Sequence, residues 1–217
     1  MPDLPTSAGG VGIQRIVTSG TFELDGGSWE VDNNVWVVGD DDQCVVIDAA
    51  HDGRAIVAAI PKQRKVIGIL LTHGHNDHIN GAGELGSITR APAYLHPADR
   101  MLWDEIYDVA PDEELTDGQV VTVGDVEVHV LHTPGHTPGA VSLHVPALGV
   151  VFTGDTLFNG GPGATGRSFS SFPTIVESIC ERLLTLPPET VVLTGHGDST
   201  TIGVEAPHLQ EWIDRGH

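Results

Sequence analysis

An α/β fold is what the sequence predicts, and three observations carry the expectation. Runs of β-branched residues with period two alternate with segments of helical apolar spacing. One run, residues 66–71, is continuously apolar, as a strand buried on both faces should be. A hydrophobic content of 40% with 27 glycines fits a globular, loop-rich chain rather than a disordered one.

Taken in order, residues 1–10 read as a frayed tail, and residues 11–217 as a single domain, since 217 residues can bury one sizeable core. Strands are expected at 11–22 and 35–39, rich in β-branched and aromatic residues, with turns at Asp25-Gly26-Gly27 and Gly39-Asp40-Asp41-Asp42. A buried strand at 44–47 ends at Asp48. Residues 52–60 carry helical spacing, and Pro61 stops them. After the apolar strand at 66–71, a short helix is expected at 78–86. Gly81 and Gly83 there would let the backbone approach the preceding loop closely. A strand at 93–95 precedes a helix at 98–107, whose Met101, Leu102, Trp103 and Ile106 read as core or pocket wall.

Strands at 113–124 and 125–131 flank the Gly124-Asp125 turn, and 140–145 with 149–153 form a further hairpin. Residues 160–166 form a glycine-rich loop without the lysine or spacing of a phosphate-binding loop. A helix at 173–186, a strand at 191–193 and a helix at 203–213 complete the chain. Two β-rich halves are thus each followed by helices.

Composition excludes some function classes. A formal charge of −20 opposes a nucleic-acid partner, which needs a basic surface. No apolar run approaches the ~20 residues of a membrane span, and the N-terminus has neither a basic nor an apolar leader region. Cys44 and Cys180 make no disulfide framework and read as buried thiols of a reducing compartment. A cytoplasmic location is the expectation.

The chemistry concentrates in Leu71-Thr72-His73-Gly74-His75-Asn76-Asp77-His78. Three histidines and an aspartate directly after a buried strand are a ligand set for zinc, iron or manganese. His73 and His75, two apart, project to the same side in extended backbone. Asp77 and His78 are adjacent and must point differently, which suits a second metal beside the first.

This stretch resembles the His-X-His-X-Asp-His motif of the metallo-β-lactamase-fold hydrolases. The resemblance continues through Val46-Ile47-Asp48, Thr133-Pro134-Gly135-His136-Thr137-Pro138-Gly139, Phe152-Thr153-Gly154-Asp155-Thr156-Leu157-Phe158 and Thr194-Gly195-His196-Gly197, in the family's order. It implies a four-layer αβ/βα sandwich. It also implies two divalent metal ions, zinc first, with iron and manganese equally accepted by the ligand set. His73, His75 and His136 would hold one ion, Asp77, His78 and His196 the other, and Asp155 would bridge them. Asp48 would orient ligands from beneath, and His132, a strand-end step before the third segment, would support the site. Two such ions lower the pKa of a shared water towards ~7 and yield a hydroxide that attacks a polarised carbonyl; Asp77 would orient it and take its proton. The other histidines, His51, His96, His129, His144, His208 and His217, read as non-ligands.

Asp155 and the run from Gly154 to Phe158, followed by Arg167, resemble the glyoxalase II (hydroxyacylglutathione hydrolase) branch rather than the β-lactam-hydrolysing branch, where this position is typically not an aspartate. The expected substrate is therefore an S-acyl thioester of a small thiol, with Arg167 gripping a substrate carboxylate. Departures leave the thiol open. Gly166-Arg167-Ser168-Phe169 replaces the usual Gly-Arg-Thr-Asp, Asn80-Gly81-Ala82 replaces a double glycine, and only about twenty residues follow His196 where longer relatives carry a helical domain. Glutathione and mycothiol both stay in play. Persulfide dioxygenases with mononuclear iron, and lactonases or other ester hydrolases, share the fold and are the alternatives.

Overall fold

The computed structural model describes residues 4–216. Six strands form the first sheet in sequence order: β1 (Gly12–Leu24), β2 (Gly27–Gly39), β3 (Gln43–Ile47), β4 (Lys65–Leu70), β5 (Ala93–Leu95) and β6 (Glu113–Glu114). The second sheet contains β7 (Val120–Val123), β8 (Val126–His132), β9 (Val141–Val145), β10 (Val150–Gly154), β13 (Val191–Thr194) and β14 (Thr200–Thr201), in the order β14-β13-β10-β9-β8-β7. The short pair β11 (Leu157–Phe158) and β12 (Gly161–Pro162) stands apart.

Side-chain alternation along the strands builds the layers. Trp36, Val38, Val45, Ile47 and Leu70 of the first sheet meet Val128, Val130, Leu143, Phe152 and Leu193 of the second in a central core. The intervening Val35, Val37, Cys44, Val46 and Ile69 face outward onto α1 (Gly53–Ala59) and α3 (Ala82–Thr89), with α2 (Asn76–Ile79) beside them. On the far side Val151 and Val192 pack under α5 (Phe172–Ser178) and Trp212 of α7 (Leu209–Arg215). Helices, sheet, sheet, helices is the αβ/βα sandwich of the metallo-β-lactamase fold.

Several expectations change in detail. The expected strand at 113–124 divides: β6 pairs with β5, whereas β7 pairs with β8. The chain crosses between sheets at Asp117-Gly118, where Gly118 adopts φ 77°. The helix at 98–107 shrinks to α4 (Arg100–Trp103), because the chain turns back and Trp103 Nε1 donates to Val109 O at 2.6 Å. Leu102 and Trp103 are buried, but Met101 and Ile106 are each 41% exposed and are not core. The helix at 78–86 is two pieces, α2 and α3. Gly81 at their junction packs on the Ala49 carbonyl, and Gly83 packs against the Tyr107 ring rather than the ligand loop. Pro207 divides the last helix into α6 (Ile202–Glu205) and α7. Cys44 is buried as expected, and burial pushes its thiol up to about 11; Cys180 is exposed. Of the expected tail, residues 1–3 lie outside the described residues, as does His217. Leu4 packs on the central core and Gly9 N–H donates to Asp125 at 2.7 Å, so this part is held down.

Five strand ends deliver chemistry to one edge of the sandwich. Asp48 follows β3, His73 to His78 follow β4, His136 follows β8, Asp155 follows β10 and His196 follows β13. Main-chain bonds tie the sheets together there. Val141 N–H donates to Thr72 O at 2.8 Å, and Asn34 N–H donates to Gly195 O at 2.7 Å. Phe152 is fully buried between the sheets beside Trp36. Phe152→Ala is expected to cost about 3–5 kcal/mol, read as a lowered urea midpoint with an unchanged m-value.

Candidate metal centre

The ligand loop begins where β4 runs out of sheet partners. Asp48, at φ 56°, turns its buried carboxylate under that loop. It accepts Thr72 N–H and Thr72 Oγ1–H at 2.8 Å each, and His78 Nδ1–H at 2.8 Å. Asp48 thus stands where an orienting residue is needed.

The structure brings all seven expected ligands into one cluster. His73 Nε2 lies 3.1 Å from His75 Nδ1, which lies 3.0 Å from His136 Nε2. His78 Nε2 lies 3.2 Å from His196 Nε2, and Asp77 Oδ2 lies 3.3 Å from His196 Nε2 and 3.5 Å from His78 Nε2. Asp155 stands between the two sets, with Oδ1 3.4 Å from His78 and Oδ2 3.4 Å from His196 and 3.6 Å from His136. Donors sharing one tetrahedral ion at bonds of ~2.0–2.1 Å are roughly 3.3–3.4 Å apart, so these spacings fit metal ligation.

The outer hydrogen bonds say which ring nitrogen is free. His73 Nδ1 meets Thr72 Oγ1 at 3.0 Å, whose own proton goes to Asp48. His136 Nδ1 donates to Ala164 O and His196 Nδ1 to Asp32 O, both at 2.8 Å. With His78 on Asp48, four rings hold their proton on Nδ1 and present the Nε2 lone pair inward, the arrangement that orients metal-bound histidine. His75 is reversed and presents Nδ1. Asp77 Oδ1 and Asp155 Oδ1 are buried without a protein hydrogen bond. Orphaned donors in a nitrogen and carboxylate cage suit divalent cations.

Electrostatics agree. Burial drives His73 well below the ordinary range and His75 down to about 3. Burial also opposes charge on His78 and His196, yet Asp77, Asp155 and Asp48 hold His78 well above its usual value, and Asp155 with Asp77 holds His196 up at about 10. Against burial, these histidines hold Asp77 at about 2 and Asp155 well below the carboxylate range.

Two residues of the site went unnoticed in the sequence. Asp99, fully buried, accepts Gly74 N–H at 2.8 Å, Thr137 Oγ1–H at 2.6 Å and Gly139 N–H at 2.5 Å, and so ties the His73 loop to the His136 loop. Asn33 of β2, also fully buried, reaches Asp77 Oδ2 with Nδ2 at 3.0 Å. His51 is half-buried and bonds Asn33, rather than standing free in a loop. His132 is not among the clustered donors. It donates Nε2–H to Pro138 O at 2.9 Å and stacks on His96 at 4.2 Å, bracing the His136 loop.

A cavity of about 300 Å³ opens on the cluster. His75, Asp77, His136, Asp155 and His196 form its floor, Phe22, Leu24, Trp29, Val31 and Phe158 its apolar wall, and Arg167 stands at its side. The Arg167 guanidinium lies 3.9 Å over the Trp29 ring and 5.4 Å from that of Phe22. The next residue is pinned: Ser168 N–H and Oγ–H donate to Asp25 at 3.1 and 2.6 Å.

The Metallo-beta-lactamase superfamily model matches residues 29–196. The chain belongs to the metallo-beta-lactamase superfamily, and family and donor set together define a metal-dependent hydrolase. It is similar to a probable metallo-hydrolase, YqgX, of Bacillus subtilis, at 35% identity over 79% of this chain and 88% of that one. It is also similar to the hydroxyacylglutathione hydrolase GloC of Haemophilus influenzae, at 30% identity over 76% and 85%. Among solved structures, the BLEG-1 B3 metallo-beta-lactamase superposes with TM-score 0.76 at 30% identity, covering 90% of this chain and 99% of that one. TTHA1623 in a di-iron-bound form gives 0.71 at 33%, covering 81% and 93%. Among the described residues no helix is long and apolar enough to cross a membrane.

Two outcomes are expected. Metal uptake by the stripped protein should release protons at neutral pH, because neighbouring carboxylates raise the pKa of His78 and hold His196 up at about 10, whereas a ligand imidazole is neutral. Affinity should therefore rise with pH, as read by chelator competition in weakly buffered dye. Asp99→Ala should cost about 2–4 kcal/mol in thermal or urea unfolding, since it leaves several buried donors unpaired.

Proposed function

We propose that this chain hydrolyses S-acyl thioesters of a low-molecular-weight thiol, glutathione or mycothiol. The observation that carries the reading is the make-up of the cavity. Apart from its histidines and aspartates, its described lining holds one cation, two serines and apolar residues, with no lysine, tyrosine or cysteine to act as a proton donor. Beyond the residues of the metal cluster there is no proton donor in this described lining, so a substrate whose leaving group needs little acid assistance suits it best. A thiol with pKa ~8.5 leaves in this way as its thiolate, whereas an alkoxide or amine does not. Similarity to the GloC hydrolase supports the same reading.

His73, His75 and His136 would hold one ion and Asp77, His78 and His196 the other, with Asp155 shared. When bound, two such ions supply Lewis-acid polarisation of the acyl carbonyl and a water of lowered pKa. The chain does the rest. Outer hydrogen bonds fix each imidazole, so little reorganisation accompanies the reaction. Asp77 lines the cavity, its Oδ1 has no protein hydrogen bond, and it would orient the attacking water and take its proton. The aromatic wall of Phe22 and Trp29 excludes bulk water and receives the apolar part of the substrate. Arg167, stacked on that wall, keeps guanidinium N–H groups for a substrate carboxylate. Zinc is the first choice of metal. The similarity to a di-iron-bound structure supports iron as the second.

The test is thiol release from S-lactoyl and S-formyl thioesters of glutathione and mycothiol, before and after metal stripping. Rapid metal-dependent release with one carrier is the expected result. Absence of release with every carrier from metal-loaded protein overturns the reading, and turnover of a β-lactam, a lactone or a thiol persulfide with oxygen uptake would replace it. Arg167→Ala should raise KM for carboxylate-bearing thioesters about tenfold, equivalent to ~1.4 kcal/mol of binding, while kcat stays within about twofold.

A further inference from the structure

Asn33 occupies an unusual place. Its Nδ2 lies 3.0 Å from Asp77 Oδ2, 3.3 Å from His78 Nε2 and 3.5 Å from His196 Nε2. One amide nitrogen therefore meets Asp77, His78 and His196, the three donors that belong to the second set alone. The hydrogen bonds of the first set run elsewhere, His73 to Thr72 and His136 to Ala164.

The orientation of the amide follows from what it faces. A carboxylate only accepts, so the NH₂ group points at Asp77 and the carbonyl points away. There Asn33 Oδ1 receives His51 Nε2–H at 2.8 Å. His51 Nδ1 is then the acceptor, 3.4 Å from Asn80 Nδ2, and Asn80 Oδ1 accepts the His51 backbone N–H at 2.6 Å. The chain of donors has one direction: Asn80 to His51, His51 to Asn33, Asn33 to Asp77.

Placing His51 there has a conformational cost. Its φ is 62°, a region non-glycine residues seldom occupy and often hold near functional sites. Its ring also fills space beside Gly20, where a Cβ would come within 2.2 Å of His51 Nδ1. Two local concessions, one in each strand-loop unit, maintain a single hydrogen bond to Asn33.

We propose that Asn33, held by His51, is the positioning residue of the second metal ion, fixing Asp77 Oδ2 and thereby setting that ion's affinity separately from the first. The proposal rests on the dinuclear reading of the site and is independent of which substrate is cleaved.

The experiment measures stepwise Zn²⁺ and Co²⁺ affinities of the full chain by chelator competition, together with the Co²⁺ absorption spectrum. Wild type should bind two ions. Asn33→Leu, of similar volume without hydrogen bonds, should weaken the second ion by ten- to a hundredfold, the range for loss of a ligand-orienting partner. The first ion should stay within about twofold with its spectrum unchanged. His51→Ala should weaken the second ion in the same sense, and His51→Gln, whose amide N–H can reach Asn33 Oδ1, should restore most of the loss. Equal weakening of both ions, an unchanged second affinity, or a His51→Gln variant no better than His51→Ala overturns the proposal. So does a wild type that binds one ion. Since no substrate enters these measurements, failure of thioester hydrolysis alone bears only on the proposed function.

Discussion

The buried Asp48 carboxylate is the constraint on which the centre depends. It sits where β3 ends beside β4, out of water, and a carboxylate there must be met by donors. Its donors are the backbone and hydroxyl of Thr72 and the ring of His78. One group thus fixes both ends of a seven-residue ligand segment, and through Thr72 it reaches His73 as well. A left-handed backbone at a non-glycine position is tolerated because three hydrogen bonds over-determine it.

Around that hook the site is assembled from both sheets, which would give bound metals a mechanical role. Each set draws ligands from the first sheet's loop and from the second sheet's strand ends. The sheets touch there through few main-chain bonds, at Val141 and Asn34. Cations between them would join the two halves of the sandwich as well as serve chemistry, and would couple folding to metal binding at this edge.

Much of this was legible because the ligands are close in sequence or follow apolar runs. His73 to His78 follow a strand buried on both faces, and His136, Asp155 and His196 each stand just past a strand. The layers were legible from alternation. What escaped notice has physical reasons. The first half of β2 projects beyond the core, with residues 28–30 exposed, so it shows no buried face and no period. Asn33 and Asp99 acquire meaning only from partners distant in sequence, 18 and 44 residues away for Asn33 and 25 to 40 for Asp99. Asp117-Gly118 and Pro207, by contrast, are local break signals that the apolar patterns around them mask, so the sequence reads as one strand over 113–124 and one helix over 203–213 where the chain in fact divides. Cys180 lies on a helical stretch whose apolar face turned out to run through Ile179 and Leu183 instead.

The hairpin of β1 and β2 contributes Phe22, Leu24, Trp29 and Val31 to the cavity wall but no ligand to the metal cluster among the described residues. Its tip is attached to the rest of the chain at Asp25 by Ser168 and over Trp29 by Arg167, while its base, through Asp32 and Asn33, braces the cluster. The apolar wall at the tip and the ligand loops therefore lie on different stretches of chain. In a lineage, the tip can diverge in length and composition while the ligand loops stay under their own selection. Relatives with the same metal cage and different hairpins would then acquire new diets without having to reinvent the catalyst.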